Sequence, residues 1–352
     1  MRDSNGLCGQ NRKTVNSHRH FLRLVGSATC AVVLVTGSLI LTSPPLRATT
    51  TTPLDQLRSY LSAAIAQKNL PNVTQSIPTL SSLLTNKSSP IDLPPGEKFP
   101  MKPCYPYGDG TATVTVANVS TCSFGAKNAT KTILLSGDSN AAMWIGPLAA
   151  LGAAQGFRVI FFGQPGCPPW LVDGADNKVM YGTITVGSCV NLWNASIRAV
   201  SHEIKPNLVI LTGMTGMTNA PNVFKTRLIA MVNGFKTAST RVLILGPFPH
   251  PSYVHLTPGA CLTSGRPNSA CVMSTAAVSN VFMTNGPQAA TATKSTFVDV
   301  LSLFCVAQKC PMFVKTPTSN RLIYFDDSHM NRTYAAWIAP QLGQLLGTNL
   351  HF

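Results

Sequence analysis

Charged side chains are scarce in this chain, because Asp, Glu, Lys and Arg make up only 11% of its 352 residues and 12 of them are acids. The sequence has no C-x-x-C pair, no H-E-x-x-H motif and no His/Cys cluster at ligand spacing, so it predicts neither a metal site nor a cofactor. The net charge is +15, yet no dense Lys/Arg run lies beyond the N-terminal region. No nucleic-acid-binding motif is present either, and these absences argue against a nucleic-acid partner.

The N-terminal region has the composition of a targeting or anchoring segment. Residues 1–23 are basic and predict a cytoplasmic tail, and residues 24–41 (LVGSATCAVVLVTGSLIL) carry no charge. A run of this length is either a transmembrane anchor at the lower limit of length or a signal segment. The basic residues before it place the rest of the chain outside the membrane. We therefore expect an extracytoplasmic protein, either anchored to the cell membrane by this segment or secreted, with a linker and short helix at 42–68 and the main domain at 69–352.

The cysteines agree with an exported chain. Eight of the ten lie beyond residue 100, and an even set in an oxidising compartment predicts disulfides. Eight cysteines allow about a hundred pairings, so the sequence leaves the connectivity open. Pairing of sequence neighbours is the simplest solution: Cys104 with Cys122, Cys167 with Cys189, Cys261 with Cys271, and Cys305 with Cys310.

Apolar runs of strand length alternate with helical segments along the main domain. Fully apolar strands between helices are typical of a parallel sheet covered on both faces, so the pattern predicts an α/β fold. In such sheets, binding sites form beyond the carboxyl ends of the strands. The predicted strands are TKTILLSG, FRVIFFG, PNLVILTG, TRVLILGPFP and a segment of STFVDVLSLF, and the predicted helices span 140–156, 190–203, 222–238, 273–294 and 331–347.

Two short motifs combine the residue types of nucleophilic catalysis. The first predicted strand ends in Gly137-Asp138-Ser139, where a serine at the tip would face a site. Serine needs a base within hydrogen-bond reach and an acid that orients the base. The segment YFDDSHMN, at 324–331, supplies both, because Asp326 precedes His329 by three residues.

Each motif also has a purely structural interpretation. Gly-Asp-Ser is a common turn, and Asp138 fits a residue that starts a helix better than a catalytic acid. An Asp three residues before a His is often a helix N-cap. The two motifs together, in this order and on these elements, favour catalysis. We expect His250 and His255, in a Pro-rich loop, to lie on the surface.

The motifs resemble those of the SGNH (GDSL-type) hydrolase family, and most of all the SGNH domains fused to acyltransferase-3 membrane proteins, which O-acylate cell-surface glycans. The similar features are GDSNAAMW at 137–144, GCPP at 166–169, the strand PNLVIL at 206–211, the pair Cys305 and Cys310, and Tyr-x-D-x-x-H from Tyr324. The resemblance covers about 69–347. It implies a three-layer, flavodoxin-like α/β fold with a central parallel sheet of about five strands.

The resemblance also implies roles for individual residues. Ser139 would be the nucleophile, His329 the base and Asp326 the orienting acid. The oxyanion hole would use the backbone N–H of Ser139 and a glycine after the second strand, either Gly163 or Gly166. The family places an Asn after the third strand in a G-x-N-D motif, whereas this chain has Thr215 at that position.

The function implied by the resemblance is an exported serine esterase or O-acyltransferase that forms an acyl-serine and acts on acetyl or other short acyl esters of cell-envelope glycans. The expected partners are the acylated glycan or acyl donor, the membrane through the N-terminal segment, and a separate multi-span membrane protein that supplies acyl groups. Two alternatives remain open: a catalytically inactive glycan-binding protein with the same fold, and a lipid or carboxyl ester hydrolase.

Overall fold

The computed structural model describes residues 51–72, 75–79, 104–105, 117, 119–171, 179–181, 184–214, 221–237 and 239–352. These residues belong to one compact unit, Thr50–Phe352, which is separate from Met1–Thr49. The predicted cytoplasmic tail and the anchor or signal segment at 24–41 lie outside the described residues. Across the part of the chain that is described, no helix has both the length and the apolar character that a membrane span requires.

A six-stranded sheet forms the centre of the unit, with strand order β10-β8-β7-β3-β4-β2. Five strands run parallel, as predicted, and β2 adds an antiparallel edge that the sequence pattern had not indicated. Register aligns Gly137 of β3 with Gly163 of β4, so both strands end at the same level. The strands are β2 (Ser123–Gly125), β3 (Lys131–Gly137), β4 (Phe157–Gly163), β7 (Leu208–Leu211), β8 (Arg241–Leu245) and β10 (Thr296–Val298).

Short strands form three smaller sheets around this centre. The order in the largest is β1-β13-β12, and the other two are the antiparallel pairs β11-β9 and β5-β6. Their bounds are β1 (Ser76–Ile77), β5 (Val179–Tyr181), β6 (Ile184–Thr185), β9 (Met273–Ser274), β11 (Lys309–Cys310), β12 (Phe313–Lys315) and β13 (Asn320–Leu322).

Helices follow most of the long strands. The predicted helix after β3 is interrupted at Met143–Trp144 and becomes two helices, and the one predicted at 273–294 begins only at Asn280. The α-helices are α1 (Pro53–Ile65), α2 (Ser139–Ala142), α3 (Ile145–Gln155), α4 (Val186–Ala199), α5 (Pro221–Phe235), α6 (Pro258–Thr263), α7 (Asn280–Thr293), α8 (Arg332–Trp337) and α9 (Ala339–Leu346). A π-helical segment, Val200–Ile204, extends α4.

Alternate residues of the central strands enter two separate hydrophobic clusters. On β3, Ile133 and Leu135 pack with α1, α3 and α9, whereas Leu134 packs on the opposite face with α4, α5 and α7. Successive side chains of a strand point to opposite faces of a sheet, so both faces of these apolar strands are buried. The architecture is therefore the predicted three-layer α/β fold. Helix α1 also belongs to it, because Leu57 and Leu61 are fully buried in the first cluster.

Four disulfides join cysteines that are neighbours in the sequence. The bonds are Cys104–Cys122, Cys167–Cys189, Cys261–Cys271 and Cys305–Cys310. Cys167–Cys189 links the loop after β4 to α4, so it fixes a segment at the carboxyl edge of the sheet. This connectivity is the simplest of the pairings that the sequence left open.

Candidate functional site

The strand end that presents Ser139 is packed closely against its neighbours. A Cβ atom at Gly137 would lie 2.0 Å from the carbonyl oxygen of Thr212, which follows β7, and one at Gly163 would lie 2.1 Å from the carbonyl oxygen of Gly137. Only glycine allows such an approach of main chains. Ser139 therefore begins α2 directly beyond a tightly packed part of the sheet, and it is half-buried.

Asp138 is the N-cap of α2, at the helix start that the sequence predicted for it. Its Oδ1 accepts the backbone N–H of Asn140 at 2.8 Å, and its Oδ2 accepts that of Met214 at 2.9 Å. Complete burial raises the pKa of Asp138 to about 6, although these N–H groups and the nearby charge of His329 oppose the increase. Asp138 thus connects the turn of Ser139 to the loop after β7.

His329 and Asp326 form a pair on the loop between β13 and α8. Nδ1 of His329 lies 2.9 and 2.8 Å from the two oxygens of the Asp326 carboxylate. An acceptor at Nδ1 makes that nitrogen the protonated one in the neutral ring, so Nε2 keeps its lone pair. Nε2 is buried and has no hydrogen-bond partner among the described residues.

The Asp326 carboxyl is stabilised in its ionised form. Burial alone would raise the pKa of Asp326, but hydrogen bonds from His329 and from the Ser328 N–H outweigh it and leave this pKa below its ordinary value. An ionised carboxylate at Nδ1 both orients the imidazole and favours its protonated form during a reaction. This pair therefore has the properties of a general base with its orienting acid.

Hydrogen bonds hold the loop of His329 in place from several sides. The Phe325 N–H donates to the His329 carbonyl at 2.9 Å, and the Ser252 N–H donates to the Asp327 carbonyl at 3.0 Å. The Met330 N–H donates to the sulfur of Met143, which caps α2. The loop of His329 and the helix that Ser139 begins are therefore directly connected.

The Ser139 hydroxyl itself makes no hydrogen bond with His329 in this structure, and Nε2 is the nitrogen left open. Hydrogen bonds between catalytic groups are often long without substrate. What the fold brings together is a serine at the carboxyl end of β3 and an oriented imidazole on the loop next to it. That arrangement suits acyl transfer through a serine.

The candidate oxyanion donors separate into distinct environments. Gly163 is buried at the contact with Gly137, where the close approach of backbones explains the glycine. Gly166 lies in a turn with φ +68°, closed by the Cys167 N–H and the Gln164 carbonyl, and it is half-exposed. Of the two glycines, Gly166 is therefore the more exposed. Thr215 and its neighbours at 215–220 lie outside the described residues.

His250 is not on the surface, so the expectation for this residue was wrong, whereas His255 is exposed. The backbone N–H of His250 donates to the Ala277 carbonyl at 2.8 Å, and Nε2 of the His250 ring lies 2.5 Å from Oδ1 of Asn140. Burial, and then the charge of His329, lower the pKa of His250 to about 4 despite Asp326. The Pro-rich sequence of the loop favoured a surface position and so concealed the burial of His250. The only sequence signal for a place in the site was a His at the carboxyl end of a parallel strand.

Comparisons with known proteins identify a family to which the chain is similar. A family model described as "SGNH domain (fused to AT3 domains)" matches residues 103–344. No curated protein matches the chain.

Solved structures are also similar to the chain, among them the following three. The periplasmic domain of a lipopolysaccharide acetyltransferase of Salmonella ser. Paratyphi A has 19% identity and a TM-score of 0.48, covering 71% of this chain and 91% of that one. TesA has 18% identity and a TM-score of 0.37, with coverages of 62% and 100%. For a putative acylhydrolase of Bacteroides fragilis, the identity is 14%, the TM-score 0.37 and the coverages 65% and 91%.

Proposed function

The chain belongs to the family of SGNH domains that occur fused to AT3 domains, and from this premise we propose that it is an exported serine esterase or O-acyltransferase. Its substrates would be acetyl or other short acyl esters of cell-envelope glycans. The observation that carries the proposal is the Asp326–His329 pair. Nε2 of His329 has no hydrogen-bond partner among the described residues, and the loop of the pair is hydrogen-bonded to the helix of Ser139.

The first half of the reaction forms the acyl-serine. Oγ of Ser139 attacks the carbonyl carbon of the ester while its proton passes to Nε2 of His329. The carbonyl oxygen becomes an oxyanion, stabilised by the N–H groups of Ser139 and Gly166. When the tetrahedral intermediate collapses, the bond to the alcohol oxygen breaks and that oxygen takes the proton from His329.

The second half releases the acyl group. Water or a sugar hydroxyl gives its proton to Nε2 of His329 and attacks the acyl carbon, and the bond to Oγ then breaks as Ser139 regains the proton. Hydrolysis and transfer therefore use the same residues and differ only in the acceptor. In the transfer reaction, an AT3-type membrane protein would supply the acyl groups.

The four disulfides support export. They are consistent with an oxidising compartment, where such bonds form and persist. We propose that the segment 24–41 either anchors the domain to the membrane or directs its secretion.

Hydrolysis of p-nitrophenyl acetate by the full chain, purified in detergent, tests the proposal. We expect Ser139→Ala to lower the rate to the uncatalysed level and to abolish labelling by a fluorophosphonate, because no other group would form the acyl-enzyme. Ser62→Ala, on the exposed face of α1, is the control and should match the wild type. Equal rates for wild type and Ser139→Ala would contradict the proposed enzymatic activity and favour a glycan-binding protein.

A second measurement separates transfer from hydrolysis. A glycan acceptor is added to the same assay, and the products are analysed by mass spectrometry. Acetylated glycan that forms with the wild type and not with Ser139→Ala identifies a transferase. Acetate alone identifies an esterase.

A further inference from the structure

Asn140 directly follows Ser139, and one polar group of its side chain has no hydrogen-bond partner among the described residues. Its backbone N–H donates to Asp138, and its Oδ1 accepts a hydrogen bond from Nε2 of His250. The amide nitrogen, Nδ2, is buried and has no acceptor among the described residues. A buried donor without an acceptor is rare, because it has lost its hydrogen bonds to water, so its place beside Ser139 calls for an explanation.

We propose that Asn140 is a catalytic residue whose Nδ2 donates a hydrogen bond to the oxyanion, and that His250 is the positioning residue that orients this amide. The inference rests on the proposed function, because it assigns a further donor to the same reaction. The acyl oxygen of the substrate would be the acceptor that Nδ2 lacks in the free protein.

The surroundings of His250 fix the direction of the amide. An oxygen acceptor requires a proton on Nε2. The backbone N–H of His250 donates to the Ala277 carbonyl, and the ring packs against Phe248 edge-on at 5.3 Å and against Tyr253 stacked at 4.9 Å. The oxygen and nitrogen of an amide diverge from one carbon. With Oδ1 held by His250, Nδ2 is the atom left for a ligand.

The neutral state of His250 suits this role. Its pKa of about 4 means that the ring carries no charge near neutral pH. A second positive charge close to His329 would oppose protonation of that base in the transition state. A neutral imidazole orients Asn140 without this repulsion.

At the start of the loop after β7, the described residue Met214 offers no free backbone donor. The backbone N–H of Met214 is already bonded to Asp138, so it is not available to an oxyanion. Ser139 and Gly166 supply two backbone donors at most. A side-chain amide next to the nucleophile would supply a third.

Four variants of the full chain test the inference in the p-nitrophenyl acetate assay. Asn140→Asp keeps the acceptor for His250 and removes the donor, and Asn140→Ala removes both. His250→Gln keeps an N–H at the position of Nε2, whereas His250→Leu does not. The control is Asn285→Ala in α7, a buried amide whose Nδ2 donates to the Val281 carbonyl. Each kcat is divided by the fraction of protein that a fluorophosphonate labels after long incubation, which corrects for misfolded protein.

Removal of one oxyanion donor lowers kcat by about 10²–10³-fold, and we expect this for both Asn140 variants, with KM changed by less than about threefold. His250→Leu should show a similar loss of kcat and His250→Gln a much smaller one, while Asn285→Ala matches the wild type. If the wild type is active and the corrected kcat of both Asn140 variants lies within about threefold of the wild-type value, the inference is overturned and the proposed function stands. A wild type that neither hydrolyses the ester nor takes up the label would instead overturn the proposed function.

Discussion

Two histidines near the carboxyl edge of the sheet have opposite environments. His329 is hydrogen-bonded through Nδ1 to the Asp326 carboxylate, whose pKa is lowered, and its Nε2 has no hydrogen-bond partner among the described residues. The ring of His250 is buried and is hydrogen-bonded to the Asn140 amide rather than to an acid, and its pKa is lowered to about 4. The surroundings of each ring therefore determine which of them suits proton transfer and which suits a fixed hydrogen bond.

Asp138 leads to a prediction about pH and stability. Its folded-state pKa is about 6 against an ordinary value of 3.8, so between about pH 4 and pH 6 the folded chain holds a proton that the unfolded chain has released. The free energy of unfolding therefore falls as the pH rises through this window. At 1.36 kcal/mol per pKa unit, the loss from this group is about 3 kcal/mol.

Asp138→Asn removes this titration. The free energy of unfolding of the variant minus that of the wild type should therefore increase by about 3 kcal/mol between pH 4 and pH 7. Urea unfolding at both pH values measures the difference. His250 titrates in the same window, with the opposite sign, but it is present in both proteins and cancels. A difference between wild type and variant that does not change with pH would contradict the raised pKa.

At the residue scale, the sequence was informative where spacing is local. The three-residue separation of Asp326 and His329 places both on one loop, and the structure joins them. The burial of His250 was not predictable, because it depends on Ala277 and Phe248, which approach only in the folded chain. The roles of these residues in catalysis stay predictions.

At the scale of elements, the contact between the ends of β3 and β4 gives another prediction. Gly163→Ala would place a Cβ 2.1 Å from the Gly137 carbonyl oxygen, so we expect a loss of about 3 kcal/mol in the free energy of unfolding. Gly265→Ala is the control, because a Cβ at that glycine would have no neighbour within 4 Å, and its φ of +65° adds only backbone strain. Its cost should be about 1 kcal/mol, from backbone strain alone. Equal losses in urea unfolding would be evidence against a steric limit at β4.

The strands were more predictable than the helices. Runs such as ILL and VIFF read as buried strands because both faces of the sheet are covered. The helix after β3 breaks before Ile145, and Pro147 accounts for this, since proline has no N–H for an interior helical bond and fits only the first turn of α3. The edge strand β2 has only three residues, too few for an alternation to be recognised.

At the scale of the whole molecule, the disulfides differ in how much of the chain they constrain. Cys167–Cys189 spans 22 residues and Cys305–Cys310 only 5. Closing the longer loop removes more entropy from the unfolded chain, so replacing Cys167 and Cys189 by Ala should cost about 1 kcal/mol more than replacing Cys305 and Cys310. Urea unfolding of the two double variants measures this. A larger loss for the shorter loop would show that loop entropy does not determine the order.

The loop of His329 has a consequence for how this protein can change over generations. Main-chain groups make several of the bonds that hold it, from Ser252 to Asp327 and from Phe325 to His329, and every residue except proline carries those groups. Mutations that replace the side chains at 252 and 327 can therefore leave the geometry of the loop intact. Such substitutions can alter the surface beside the site while the hydrogen bonds between Asp326 and His329 stay in place.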